Sequence, residues 1–246
     1  MSRVKLLVLV NVVLLLAGCT VPFAPQIIGS GTAETKDFDL VGFTAVAAGS
    51  AFEVEITRSG TYSVAVTVDE NLVDYLDVGV SVDTLHIYLK PGIARSLKPG
   101  ITHSAALRAK VTMPELTGLN LSGASRTTLT GFSSGKPLQA EVSGASTLRG
   151  DMVCGDARFD VSGASQVVPK GSAQNLNAET SGASTADFSD FTSKNTVVSA
   201  SGASKVIVSA TGSLDVEASG ASTVRYAGEP VKLKVNTSGA SSVGQK

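Results

Sequence analysis

The tetrad Ser-Gly-Ala-Ser occurs seven times in this 246-residue chain, starting at Ser122, Ser143, Ser162, Ser181, Ser201, Ser219 and Ser238. The steps between starts are 21, 19, 19, 20, 18 and 19 residues. A nearly fixed period of this size is the mark of a solenoid, in which each repeat buries its apolar face by stacking on its neighbours. The columns before the tetrad say which kind. Five residues ahead stand Thr117, Leu138, Ala157, Leu176, Thr196, Leu214 and Leu233. Three ahead stand Leu119, Ala140, Phe159, Ala178, Val198, Val216 and Val235. The residues between them are mostly polar, so the alternation is that of strands with one face inward. The fold expected is all-β: a parallel β-helix of about 19-residue coils, with like residues ~4.8 Å apart along the stack.

The tetrad itself reads as a corner. Its Gly permits backbone torsions that other residues avoid, its Ala is expected to let neighbouring chains pass closely, and its serines can bond local backbone. A nucleophilic serine would need a base within hydrogen-bond reach. The two histidines, His86 and His103, lie outside the repeat, and no Gly-x-Ser-x-Gly elbow surrounds Ser125 or Ser146. The stretch Gly131 to Lys136 is one residue short of a phosphate loop and is followed by Pro137, so no nucleotide or other cofactor is expected. An enzyme is not the expected reading.

The N-terminus points outside the cytoplasm. Arg3 and Lys5 precede an apolar run from Leu6 to Leu16, interrupted by Asn11. That run is short of the ~20 residues a membrane span needs, but has the length of a signal-peptide core. It ends in Leu16-Ala17-Gly18-Cys19, which resembles the lipobox of bacterial lipoproteins. Cys19 is therefore the expected lipidation site, and two or three acyl chains make a stable anchor. The division expected is a signal peptide over 1–18, lipidated Cys19 and a flexible tether over 19–37, a strand-rich part over 38–113, and the β-helix over 114–246. The expected location is the cell envelope, on the outer membrane if the source is Gram-negative, since Thr20 stands where an Asp often signals inner-membrane retention. The only other cysteine, Cys154, cannot take part in a disulfide framework.

From Phe38 to Met113 the chain alternates clearly, as in "AFEVEIT", "YSVAVTV" and "TLHIYLK". Asp69 to Leu76 is the one stretch with helical spacing. The run "YSVAVTVDENLVDYLDVGVSVDTLHIYL", followed by "VTMPELTGLNLSGAS", resembles the putative auto-transporter adhesin, head GIN domain family. The resemblance spans about Phe43 to Val224 and is strongest from Pro114-Glu115-Leu116 into Ser122-Gly123-Ala124. It implies a single-stranded right-handed β-helix and an adhesive role, and it brings no catalytic residues with it.

One outward column carries the candidate chemistry. Two residues before each tetrad stand Asn120, Glu141, Asp160, Glu179, Ser199, Glu217 and Asn236. Glu141, Asp160, Glu179 and Glu217 form the candidate binding stripe, for a cation or a cationic partner. Carboxylates about 5 Å apart repel unless paired or solvated, and Arg158 and Lys234 in the adjacent column are placed to relieve them. The formal net charge is −1, which gives no basic footprint for nucleic acid. The expected partners are the membrane through the N-terminal lipid, and polysaccharide or a surface protein through the rod. The final coil, ending "SSVGQK" without a helix or polar cap, leaves an edge that can pair end to end with another copy.

Overall fold

The computed structural model describes residues 27–97 and 106–246. The signal segment, Cys19 and His103 lie outside the described residues. The chain forms β1 (Ala33–Phe38), β2 (Ala45–Ala48), β3 (Glu53–Arg58), β4 (Ser63–Asp69), β5 (Leu76–Ser81) and β6 (Thr84–Leu89). Then come β7 (Leu107–Met113), β8 (Gly118–Leu121), β9 (Arg126–Ser133), β10 (Leu138–Val142), β11 (Thr147–Val161) and β12 (Gln166–Thr180). The last are β13 (Thr185–Ala200), β14 (Lys205–Ala218), β15 (Thr223–Ala227), β16 (Lys232–Thr237) and β17 (Ser242–Gln245). They build the expected β-solenoid, with coils about 19 residues apart.

The expected inward columns are the core from Leu119 to Ala218, while in the seventh coil Leu233 and Val235 are exposed. Leu138, Ala140 and Val142 pair with Ala157, Phe159 and Val161, which pair in turn with Leu176, Ala178 and Thr180, and all of these are buried. Alternation puts every second residue inside, and the small column Ala140, Ala178 is offset by Phe159, whose ring lies 5.1 Å from Phe188 and 6.2 Å from Phe191. Large and small residues thus share the rod's narrow interior in layers.

Each tetrad is a corner that is hydrogen-bonded to the corner below it. The amides of Ala164, Ala183, Ala203, Ala221 and Ala240 donate to the carbonyls of Gly144, Gly163, Gly182, Gly202 and Gly220 at 2.7–2.8 Å. The close approach falls on Gly, not on Ala as expected: Ala145 and Ala164 are exposed, whereas a Cβ on Gly163 would lie 2.4 Å from the Gly144 oxygen. The fourth residue is buried in the first six tetrads, from Ser125 to Ser222. Ser204 and Ser222 donate to Thr180 and Ala200 carbonyls at 3.3 Å, and Ser165 accepts from the Ser146 amide. The Ser146 hydroxyl itself has no partner among the described residues. These serines stitch rungs together.

The strand-rich N-terminal part belongs to the same stack. β2 runs parallel to both β6 and β8, and β3 to both β7 and β9. The β2–β3 rung therefore sits between two rungs that follow it in sequence. Its corner, Gly49-Ser50-Ala51-Phe52, lies under the first tetrad: Ala51 donates to the Gly123 carbonyl at 2.9 Å and Ser122 to the Ala48 carbonyl at 3.0 Å. Ser50 adopts the positive φ, 53°, that glycine takes in the tetrads. Beyond β6 and β7 the end is closed by antiparallel strands: β5 on β6, β4 on β7, and β1 on β4. The stretch with helical spacing is a 3-10 helix over Glu70–Tyr75 with Leu72 buried, and one further helical turn, Ile93–Ser96, was not anticipated.

Candidate functional site

The pairing registers align one outward column along the whole stack. It runs His86, Ala47, Asn120, Glu141, Asp160, Glu179, Ser199, Glu217, Asn236. Sequence spacing found it from Asn120 onward. Spacing cannot place His86 in it because the β2–β3 rung intervenes, and only the register of Ala47 with both His86 and Asn120 joins the two halves.

From Asp160 to Asn236 this column forms one wall of a trough of about 640 Å³, and the first serine of each tetrad from Ser162 to Ser238 forms the other. Glu141 lies outside the trough. Its carboxylate accepts from Asn120 at 3.0 Å and from Gln139 at 3.5 Å. Within the trough Arg158 bridges two rungs. It donates to both oxygens of Asp160, at 3.1 and 3.0 Å, and to Glu179 Oε1 at 2.8 Å. Asp160 first, and Glu179 after it, raise the guanidinium pKa above its ordinary value. Lys234 is engaged with Asp215 at 2.9 Å and is likewise held protonated. The Glu217 carboxylate takes no direct ion pair with Lys234, although its charge, after that of Asp215, helps to hold that lysine protonated. The stripe is thus partly neutralised, with one carboxylate left for solvent or a ligand. Among the described residues no group of three or more His, Cys, Asp and Glu could hold a metal ion.

An aromatic ring stands at the opposite end of the same face. Gly49 leaves room for Tyr88, whose ring would collide at 2.4 Å with a Cβ there. Burial raises the Tyr88 phenol pKa, while its hydrogen bond to Ser122 works the other way. Two residues before it, His86 Nε2 stands 3.5 Å from Asp77 Oδ1, a partner that sequence spacing did not reveal. A second, smaller groove of about 530 Å³ flanks the rod on the other side of Arg158. Along it runs a ladder: Asn175 donates to Asp156 at 2.6 Å, Asn195 to Asn175 at 2.8 Å, and Ser213 to Asn195 at 3.0 Å. All four residues lie six places before a tetrad, a column the periodicity contained but whose chemistry was not recognised. Cys154 is half-buried, and burial followed by Asp156 pushes its thiol up to about 11.

A family model described as putative auto-transporter adhesin, head GIN domain, matches residues 42–230. The chain belongs to this family. Solved structures share the family's fold. A putative adhesin from Bacteroides fragilis is 18% identical with a TM-score of 0.82, over 90% of this chain and 100% of that one. A putative adhesin from Parabacteroides distasonis, also 18% identical, gives 0.70 over 90% and 100%. A structure from the same organism described as a putative lipid binding protein is 21% identical, with a TM-score of 0.63 over 90% and 99%. At these identities the likeness is one of fold. No functionally curated protein matches the sequence.

Proposed function

We propose that this GIN-domain protein is a non-enzymatic envelope protein, lipid-anchored through Cys19 and exposed outside the cytoplasm, whose rod binds an extended polar partner. The observation that carries this reading is the continuous face from Tyr88 and His86 through the trough to Asn236. It offers hydroxyls, carboxylates and one guanidinium at the rung spacing of ~4.8 Å, on strands held rigidly by the core. Repeated donors and acceptors at fixed spacing suit a chain that is itself repetitive and rich in hydroxyls, and the partner class we favour is polysaccharide. The family description and the adhesin descriptions of structural neighbours support a binding role. The fourth serine is buried in the corner from Ser125 to Ser222, and the repeat carries no histidine to act as a base for the first.

The test is binding of the full chain to envelope and host polysaccharides and to matrix proteins. An Asp160→Asn, Glu179→Gln, Glu217→Gln variant would be measured beside it, at equal folded stability. Saturable polysaccharide binding weakened at least about tenfold in the variant, or roughly 1.4 kcal/mol, is expected. Binding unchanged in the variant removes the trough from the reading, and binding to a protein alone replaces the partner class.

A further inference from the structure

A second outward row lies beyond the tetrad corner from the trough. It is made by the residue that follows each tetrad: Arg126, Thr147, Gln166, Thr185, Lys205, Thr223 and Ser242. The pairing registers stack all seven in one column. The two columns are opposite in charge. The trough column, two residues before each tetrad, holds four carboxylates and no base, whereas every member of this row can donate a hydrogen bond and none is acidic. A formal net charge of −1 hides this division.

The cations here are also free, as those beside the trough are not. Arg158 and Lys234 are held in ion pairs. Among the described residues Arg126, Arg149, Lys205 and Arg225 form none, and all four are exposed. Arg149 and Arg225 stand in the next outward column, two residues after Thr147 and Thr223. Arg149 donates to the Gln166 oxygen at 2.8 Å, which leaves that amide its N–H donors for a ligand. Arg225 extends over Gly244, where a Cβ would meet its Nη1 at 2.5 Å. The neighbouring acids are already engaged. Glu53, paired in register with Arg126, takes Arg108 at 3.7 Å. Asp187 accepts from the Ser189 amide and hydroxyl at 3.0 and 2.6 Å.

We infer that this row is a second binding face, and that it takes a linear anionic polysaccharide whose carboxylate or sulfate groups meet its cations. The face is a line rather than a plane. Its seven rungs extend over roughly 29 Å at ~4.8 Å each, while the column beside it is interrupted by Val168, Asp187 and Ile207. That favours a single polymer strand over a flat surface. The charges are also widely set: Arg126 and Lys205 stand four rungs apart, ~19 Å, with two hydroxyls and one amide between them. A sugar chain whose charges are spaced among hydroxyls matches this alternation. Duplex DNA, with a charge every ~1.7 Å, would leave most of its phosphates unmet, and the row has no aromatic platform on which single-stranded bases stack. The carboxylates of the trough repel the same polymer, so this face is independent of the trough reading.

The experiment measures binding of the full chain, in mild detergent, to heparin as a sulfated polysaccharide, to uncharged dextran and to a single-stranded oligonucleotide. Three variants are compared with it. One removes the row's cations, Arg126→Gln, Lys205→Gln, Arg225→Gln. A charge control removes three exposed cations elsewhere, Lys36→Gln, Arg95→Gln, Lys194→Gln. The third is the trough variant described above. Circular dichroism and Tm confirm that each keeps its fold. Saturable heparin binding is expected that weakens as salt rises, and that falls about tenfold or more in the row variant. The charge control is expected to lose far less, and the trough variant none, so failure of the trough reading would leave this result standing. No saturable binding of heparin overturns the proposal. So does a loss as large in the charge control as in the row variant, because net charge alone would then explain it. An oligonucleotide bound as tightly as heparin overturns the class of partner.

Discussion

A Cβ on Gly163 would stand 2.4 Å from the carbonyl oxygen of Gly144 in the corner below, and Gly163 has a φ of +75°. Conformation and space therefore demand glycine independently. Gly163→Ala forces a left-handed alanine, costing roughly 1–2 kcal/mol, and also pushes apart a corner whose Ala164 amide bonds that same oxygen at 2.7 Å. The expected loss is about 3 kcal/mol, within the range of severe single substitutions, read as a lower denaturant midpoint. Ala164→Ser, at an exposed position, should change stability by less than about 0.5 kcal/mol. Equal effects of the two would mean that the tetrad is repeated in this chain for something other than corner geometry.

Val82 makes the opposite case. It lies in the short turn between β5 and β6 with φ +60° and a relative exposure of 99%. A β-branched residue in the left-handed region is a true outlier, and this one buries nothing to offset the strain. Val82→Gly is expected to raise stability by about 1 kcal/mol, seen as a higher midpoint in urea at unchanged slope. A loss of stability would show that the Val82 side chain makes a contact that outweighs its backbone.

The solenoid was legible because its corners are spelled alike and its inward columns alternate at a nearly fixed period. The lower rungs were not, although Val46, Ala48, Val54 and Ile56 alternate around a corner in the same way. There Gly49-Ser50-Ala51-Phe52 shifts the glycine by one place, and Phe52 fills the position of the buried serine. Chain order also differs from stacking order, which no periodicity can express. The site divides likewise. Glu141, Asp160, Glu179 and Glu217 share a column as their spacing requires, yet which of them meet a cation depends on side-chain reach. Arg158 takes Asp160 and Glu179, Glu141 turns to amides, and Glu217 is left.

Arg158 supplies the next expectation. Its ion pairs are partly exposed, with 42% of the Arg158 side chain accessible, so solvent screens them and surface pairs of this kind contribute little to stability. Arg158→Gln should therefore barely move thermal stability. It should nonetheless change the trough, because Asp160 and Glu179 lose the cation between them. Binding of a cationic probe such as a polyamine is expected to tighten severalfold at low salt and to return to the parental value as salt is raised. A marked fall in melting temperature would instead make Arg158 a structural keystone.

Cys154 makes the pH behaviour checkable. Its thiol is pushed up to about 11 from the ordinary value of 9.0, by burial and then by Asp156. Only the thiolate reacts, so alkylation near pH 8 should run about a hundredfold slower than for an unfolded control, two pKa units being two decades of thiolate. The linked stability has a definite sign. Below about pH 9 the thiol is neutral folded and unfolded, and the folded state keeps its full advantage. As pH rises from 9 toward 11 the unfolded thiol ionises first, so this group's contribution falls. Cys154→Ala should flatten that part of the stability–pH curve relative to the parent. Rapid alkylation of the folded chain at neutral pH, or identical curves for the two proteins, would show that the thiol is open to solvent and ordinary in its acidity.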